Sequence, residues 1–139
     1  MNDDGVEVES EAAEAVVPNR PDSTPAARAF LMRLLRGWGL EEGIINDASL
    51  LTTELVSNAV RHGDGAVKLR VEVDNGVVEV RVHDDGVKPP PSVNHADPSS
   101  LGGRGLWIVE AVADQWGSDN DNPGKSVWFR LSSPQGVDD

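Results

Sequence analysis

Apolar residues recur along this chain with two periods, and the changes between them separate helices from strands. From Thr24 to about Gly37, the residues Ala27, Phe30, Leu31, Leu34 and Leu35, with Trp38 just beyond, give a broad apolar face, while Arg28, Arg33 and Arg36 make the rest basic. Thr24 followed by Pro25 reads as an N-cap with proline in the first helical position, and Gly37 and Gly39 end the helix. The basic face is expected to be solvated. A second helix is expected from Asp47 to Gly63, DASLLTTELVSNAVRHG. Its apolar arc is made by Ala48, Leu51, Leu55, Val56, Ala59 and Val60, with Thr53, Ser57 and Arg61 facing solvent.

At Ala66 the period becomes two. Val67, Leu69, Val71 and Val73 alternate with Lys68, Arg70 and Glu72, and Asp74, Asn75 and Gly76 make a hairpin turn. The returning strand carries Val78, Val80 and Val82 on one face, with Glu79, Arg81 and His83 on the other. Leu106, Val109, Ala113 and Trp116 then restore the helical period, and Gly117 closes that third helix. Ser118 to Gly124 reads as a turn, and Ser126 to Leu131 as a closing strand with Val127, Phe129 and Leu131 on its apolar side.

Charge alters the picture mainly at the N-terminus. The chain has 139 residues and a formal net charge of −12. Asp3, Asp4, Glu7, Glu9, Glu11 and Glu14 precede any base before Arg20, so residues 1–22 read as a disordered acidic tail. Residues 23–132 then form one domain, and 133–139 a polar tail. The acidic balance opposes direct contact with nucleic acid or anionic membranes. No apolar run reaches the roughly 20 residues of a membrane span, no leader is apparent, and a cytoplasmic location is expected. The absence of cysteine excludes disulfides and thiolate metal sites, and His62, His83 and His95 suggest no site by their spacing.

Three places carry candidate chemistry. Glu54, Asn58 and His62 stack one turn apart, and Glu54 and Asn58 sit where the apolar arc of their helix begins. A carboxylate and a carboxamide there lose hydration and need partners, which a divalent metal with its anionic ligand would supply; otherwise they simply border solvent. Asp84 falls on the inward face of its strand, where another valine is expected, and it either caps a turn or serves a ligand. The segment Asp85 to Gly103 has no sustained period and reads either as a lid or binding loop or as a plain disordered insertion. It runs into Gly102, Gly103, Arg104 and Gly105 at the start of the third helix, where free N–H groups favour an anion.

In this order, the motifs resemble the GHKL (Bergerat) ATP-binding superfamily, and most closely its anti-sigma-factor serine/threonine kinase branch, over roughly Thr24 to Leu131. Glu54-Leu-Val-Ser-Asn58-Ala-Val-Arg-His62-Gly63 looks like its N box, Val82-His-Asp84-Asp-Gly86 like the first glycine box, and Gly102-Gly-Arg-Gly105-Leu106 like the second. Gly124-Lys-Ser126-Val-Trp-Phe looks like its closing strand, with serine where threonine is usual. The resemblance implies an α+β two-layer sandwich, a mixed and mostly antiparallel sheet covered on one face by about three helices. It also implies ATP and Mg²⁺ as cofactors. Asn58 would bind the metal, Asp84 the adenine amino group, with Gly86 giving room for the base and Ser126 completing its pocket. Gly102, Gly103, Gly105, Leu106 and the start of the third helix, with Arg104 and Arg61, would hold phosphates, and Glu54 would orient or deprotonate the attacking hydroxyl. A sigma factor and an anti-sigma antagonist are the implied partners, with a homodimer open. Lys88, followed by Pro89, Pro90 and Pro91, departs from the second glycine of the first box and stiffens the start of the lid. A non-catalytic ATP-binding or protein-binding regulatory module of the same fold is the alternative.

Overall fold

A computed structural model describes residues 10–62, 64–86, 103–121 and 123–132; of His62 and of residues 103–106 the backbone alone is described. The elements run β1 (Ser10–Val17), α1 (Ser23–Gly37), α2 (Glu42–His62), β2 (Val67–Asp74), β3 (Val77–Asp84), α3 (Gly103–Val112), β4 (Gln115–Asn120) and β5 (Lys125–Ser132). The strands form one sheet in the order β1-β2-β3-β5-β4, and every neighbouring pair is antiparallel. The three helices lie against one face, so the expected α+β two-layer sandwich is what the chain adopts.

Alternation in the strands decides which face the helices cover. Val67, Leu69, Val71, Val78, Val80, Val82, Val127, Phe129 and Leu131 all point inward and are buried. They meet Leu31 and Leu35 of α1 and Ile45, Ala48, Leu51, Leu55 and Val56 of α2 in a single core. Helix α2 lies at its centre, touching α1, α3, β2, β3 and β5. The hairpin turn is as expected: Asn75 and Gly76 have φ of 53° and 81°, the left-handed pair that a type I′ turn demands.

Four expectations need correction. The stretch assigned to a disordered acidic tail contains β1, which pairs with β2 from Ser10↔Asp74 to Val17↔Val67; residues 1–9 lie outside the described residues. Its Ala-rich sequence alternates only weakly, and pairing with β2, helped by Glu14 meeting Arg70 at 3.1 Å, holds it in place. Helix α1 starts at Ser23 after an N-cap position held by Asp22, which makes no side-chain cap. Thr24 is therefore within the helix, and Pro25 still falls in the first turn, where no N–H is needed. Helix α2 begins at Glu42, five residues before Asp47, because Ile44 and Ile45 extend the buried face past Gly43 and Asn46. A two-pronged pair, Arg36 Nε to Glu42 Oε2 at 3.0 Å and Nη2 to Oε1 at 3.1 Å, joins the end of α1 to this start.

The last correction concerns Gln115 to Asn120. Helix α3 stops at Val112, and the segment expected to continue it and then turn is strand β4. Asp114 starts the change: its N–H donates to the Arg130 carbonyl at 2.9 Å and its carboxylate accepts from the Ser132 N–H at 2.7 Å. Trp116 then lies opposite Phe129, and Gly117 opposite Trp128, so close that a Cβ on Gly117 would lie 2.7 Å from the indole. Pairing with β5 overrides the turn-forming residues Gly117, Ser118, Asp119 and Asn120. Among the described residues no helix is long and apolar enough to cross a membrane.

Gly124, which leads into β5, has φ of 90°, and a Cβ there would collide with the Asp84 carbonyl oxygen and the His83 ring. Gly124→Ala is expected to lower stability by at least about 2 kcal/mol. Gly37→Ala, where a Cβ would meet nothing within 4 Å, is expected to be neutral or mildly stabilising. Urea denaturation of the two variants checks this contrast.

Candidate functional site

The site candidates gather where the C-terminal half of α2 meets the ends of β3 and β5. A backbone hydrogen bond from the Asp85 N–H to the Asp64 carbonyl, 3.0 Å, ties the segment after α2 to the end of β3. Asn58 is 7 % exposed, and its Nδ2 finds no hydrogen-bond partner among the described residues. Glu54, one turn earlier, is half-buried, and Arg61 in the last turn is exposed. The border position read from the sequence is the one α2 adopts, with Asn58 just inside the buried arc and Glu54 just outside it.

Asp84 is buried on the helix-covered face, as alternation along β3 requires. Its partner is a lysine. In the β3–β5 ladder Asp84 lies opposite Lys125, and Nζ of Lys125 donates to Oδ1 of Asp84 at 2.8 Å, with both side chains about nineteen-twentieths buried. The same oxygen accepts the Gly86 N–H at 2.8 Å. Gly86 is bare by necessity: a Cβ there would lie 2.8 Å from Oδ1 and 3.1 Å from Nζ. Sequence reasoning missed Lys125, although its position one residue before Ser126 on a period-two strand was enough to put it opposite Asp84.

Ser126 is not beside Asp84. It pairs with His83, which puts it on the open face of the sheet. There Ser126 Oγ donates to Asp121 at 2.5 Å, His83 Nδ1 lies 2.7 Å from the same carboxylate, and Nε2 lies 3.1 Å from Asp85. The two-residue period thus places Lys125, and not Ser126, beside Asp84. Gly103 and Gly105 open α3, so their backbone N–H groups are among those without helical partners, as expected. Arg104 and Leu106 occupy the same first turn, but their side chains, together with Gly102, Lys88 and Pro89 to Pro91, lie outside the described residues.

The open face is a lattice of charges. Trp128 lies under two guanidinium groups, Arg130 at 4.7 Å and Arg81 at 5.8 Å from the ring centre. Arg130 also reaches Glu79 at 2.8 Å, and Arg81 reaches Asp119 at 2.8 Å. A shallow recess on this face, lined by Glu72, Asp74, Val77, Glu79, Gln115 and Arg130, carries three carboxylates and suits no triphosphate. Among the described residues no cluster of three His, Asp or Glu is placed to hold a metal ion, so a metal here would take its remaining ligands from its own substrate and water.

A buried carboxamide on the central helix, a buried carboxylate at a strand end and a glycine-led helix, all on one side of an antiparallel sheet, define a GHKL-type α+β sandwich. The family model for the histidine kinase-like ATPase domain matches residues 17–131, and the chain belongs to that family. It is therefore a kinase-like ATPase domain by membership. The fold is similar to the RsbU and RsbW domains of Rv1364c from Mycobacterium tuberculosis, at TM-score 0.69 and 19 % identity, over 88 % of this chain and 32 % of that one. It is also similar to a histidine kinase domain of the blue-light activated histidine kinase from Erythrobacter litoralis EL346. That likeness has TM-score 0.50 and 26 % identity, over 66 % of this chain and 45 % of the other. The chain thus spans about a third and less than half of these two structures. No curated protein matches it.

The two ends of the site fit a nucleotide differently. Asn58, expected near the phosphates, offers a desolvated amide whose N–H has no partner among the described residues and which an anion would satisfy. Asp84, expected at the base, has its Oδ1 already taken by an ammonium and an amide N–H.

Two outcomes test this geometry. Asp84→Ala leaves Lys125 buried without a counter-charge and is expected to cost about 3–5 kcal/mol, with much of that loss recovered when Lys125→Met is added; denaturation of the single and double variants measures it. The hydrogen bond from Ser126, followed by that from His83, holds the Asp121 carboxyl below the usual carboxylate range. Its stabilising contribution is therefore present above about pH 4, the ordinary aspartate value, and lost as pH falls through the lower folded value. Wild type is expected to be more stable than Asp121→Asn at neutral pH, with the gap closing in acid, as thermal melts from pH 7 to pH 2.5 check.

Proposed function

We propose that this chain is an ATP- and Mg²⁺-dependent serine/threonine protein kinase that acts as an anti-sigma factor, phosphorylating an anti-sigma antagonist and so regulating transcription. The observation that carries the proposal is the half-buried Glu54 one helical turn from the buried, incompletely bonded Asn58, in a member of a kinase-like ATPase family. The RsbW domain in one structural neighbour favours the anti-sigma branch. Phosphoryl transfer asks little covalent chemistry of a protein; it needs alignment, a base and charge stabilisation.

In this reading Asn58 would hold the metal through its amide oxygen. Mg²⁺ would supply neutralisation of the triphosphate, the chemistry that an acidic chain needs most. The N–H groups at the start of α3, with Gly103 and Gly105 free of side chains, bind phosphate oxygens, and Arg61 and Arg104 add charge. Glu54 orients the acceptor hydroxyl and takes its proton. Burial of Asn58 in the helix–sheet layer fixes the metal ligand relative to Glu54 through a single rigid helix, which keeps base and phosphate in register.

A non-catalytic nucleotide- or protein-binding module is the second reading, favoured by the Asp84–Lys125 pair that fills the base end. Incubation with labelled ATP, Mg²⁺ and a cognate antagonist separates the two. Glu54→Ala is expected to reduce transfer by about 10²- to 10⁴-fold while leaving nucleotide affinity within a few-fold. Absence of transfer from wild type to any cognate antagonist would remove the kinase reading and leave the binding module.

A further inference from the structure

The buried pair at the base end says what this site selects. Lys125 and Asp84 face each other on one rung of the β3–β5 ladder, both on the helix-covered side. The ammonium lies 2.8 Å from Oδ1, and the bare backbone of Gly86 makes room for it. Resting on the nucleotide-site reading above, Asp84 is the group that would accept a hydrogen bond from a purine 6-amino group. A neutral amine is a weaker donor to a carboxylate than an ammonium. Displacing Lys125, whose side chain is 6 % exposed, would also leave a buried ammonium without its counter-charge. At Oδ1, which the ammonium and the Gly86 N–H already share, the exchange therefore runs against the incoming base.

We propose that Lys125 is a specificity-determining residue of the site: its ammonium takes the place of the purine 6-amino group on Asp84, so that the chain holds a nucleoside triphosphate through its phosphates without selecting adenine. Gly86 then serves the ion pair rather than the base. Binding strength comes from Asn58, Arg61 and the start of α3, and the identity of the base is read weakly.

Calorimetry with Mg²⁺ and either ATP or purine riboside triphosphate, which lacks the 6-amino group, tests this on the full chain. Wild type is expected to bind the two within about threefold of each other, and Lys125→Thr to prefer ATP by about tenfold or more, the worth of one hydrogen bond to a charged group. A tenfold preference for ATP in wild type overturns the role of Lys125 while leaving the nucleotide site standing. So does a folded Lys125→Thr that gains no preference. Should Lys125→Thr fail to fold, the wild-type comparison decides alone. Wild type that binds neither triphosphate overturns both this inference and the nucleotide-site reading.

Discussion

Strands β3 and β5 run side by side from Val77↔Ser132 to Asp84↔Lys125, and the rest of the molecule depends on that register. On one side of the ladder lie Val78, Val80, Val82, Val127, Phe129 and Leu131, which only burial under α2 can keep from water. On the other lie Glu79, Arg81, His83, Ser126, Trp128 and Arg130, which form ion pairs and hydrogen bonds on the open face. A slip of one residue would turn every valine outward and every charge inward. The same constraint fixes the end of the ladder. Once the valines face α2, Asp84 and Lys125 must face it too, and they can do so only as a pair.

Helix α2 answers the sheet with a face that is buried over about half its circumference. Apolar residues cover most of this surface, but two polar atoms inside it, Oγ1 of Thr52 and Nδ2 of Asn58, lack partners among the described residues. Such atoms each cost about 1–3 kcal/mol. For Asn58 the location at the border of the arc, one turn from Glu54, gives the cost a use in holding a ligand. Nothing in the structure explains Thr52. The distinction matters because burial alone would mark both residues, whereas position relative to the other site groups marks one.

Much of this was legible in the sequence because it rests on strong, local patterns. The alternating valines of β2 and β3, the Asn75-Gly76 turn, the apolar arc of α2 and the inward place of Asp84 all follow from period and turn chemistry. What escaped was held by tertiary pairing. Ser10–Val17 is Ala-rich and acidic, and Gln115–Asn120 is built of turn formers; each is a strand because a better strand lies beside it. The misplaced Ser126 is of another kind. Motif likeness put a hydroxyl beside Asp84, while simple alternation from Val127 and Phe129 already put Lys125 there. Where motif and period disagreed, the period was the better guide, because burial enforces it residue by residue.

The distribution of cations then explains why the two ends of the site differ. In a chain of net charge −12, bases are scarce, and the three arginines of the open face are committed: Arg70 to Glu14, Arg81 to Asp119 and Arg130 to Glu79. Arg36 is committed to Glu42 at the α1–α2 corner. Lys125 is the buried cation among the described residues, and it neutralises the one carboxylate buried beside it. Without that ammonium, Asp84 would add a further uncompensated negative charge to the space a triphosphate must approach. The Asp84–Lys125 pair removes that repulsion and, in the same step, occupies Oδ1 of Asp84. In the nucleotide-site reading proposed above, weak base selection and tolerance of a polyanion are two consequences of one buried ion pair.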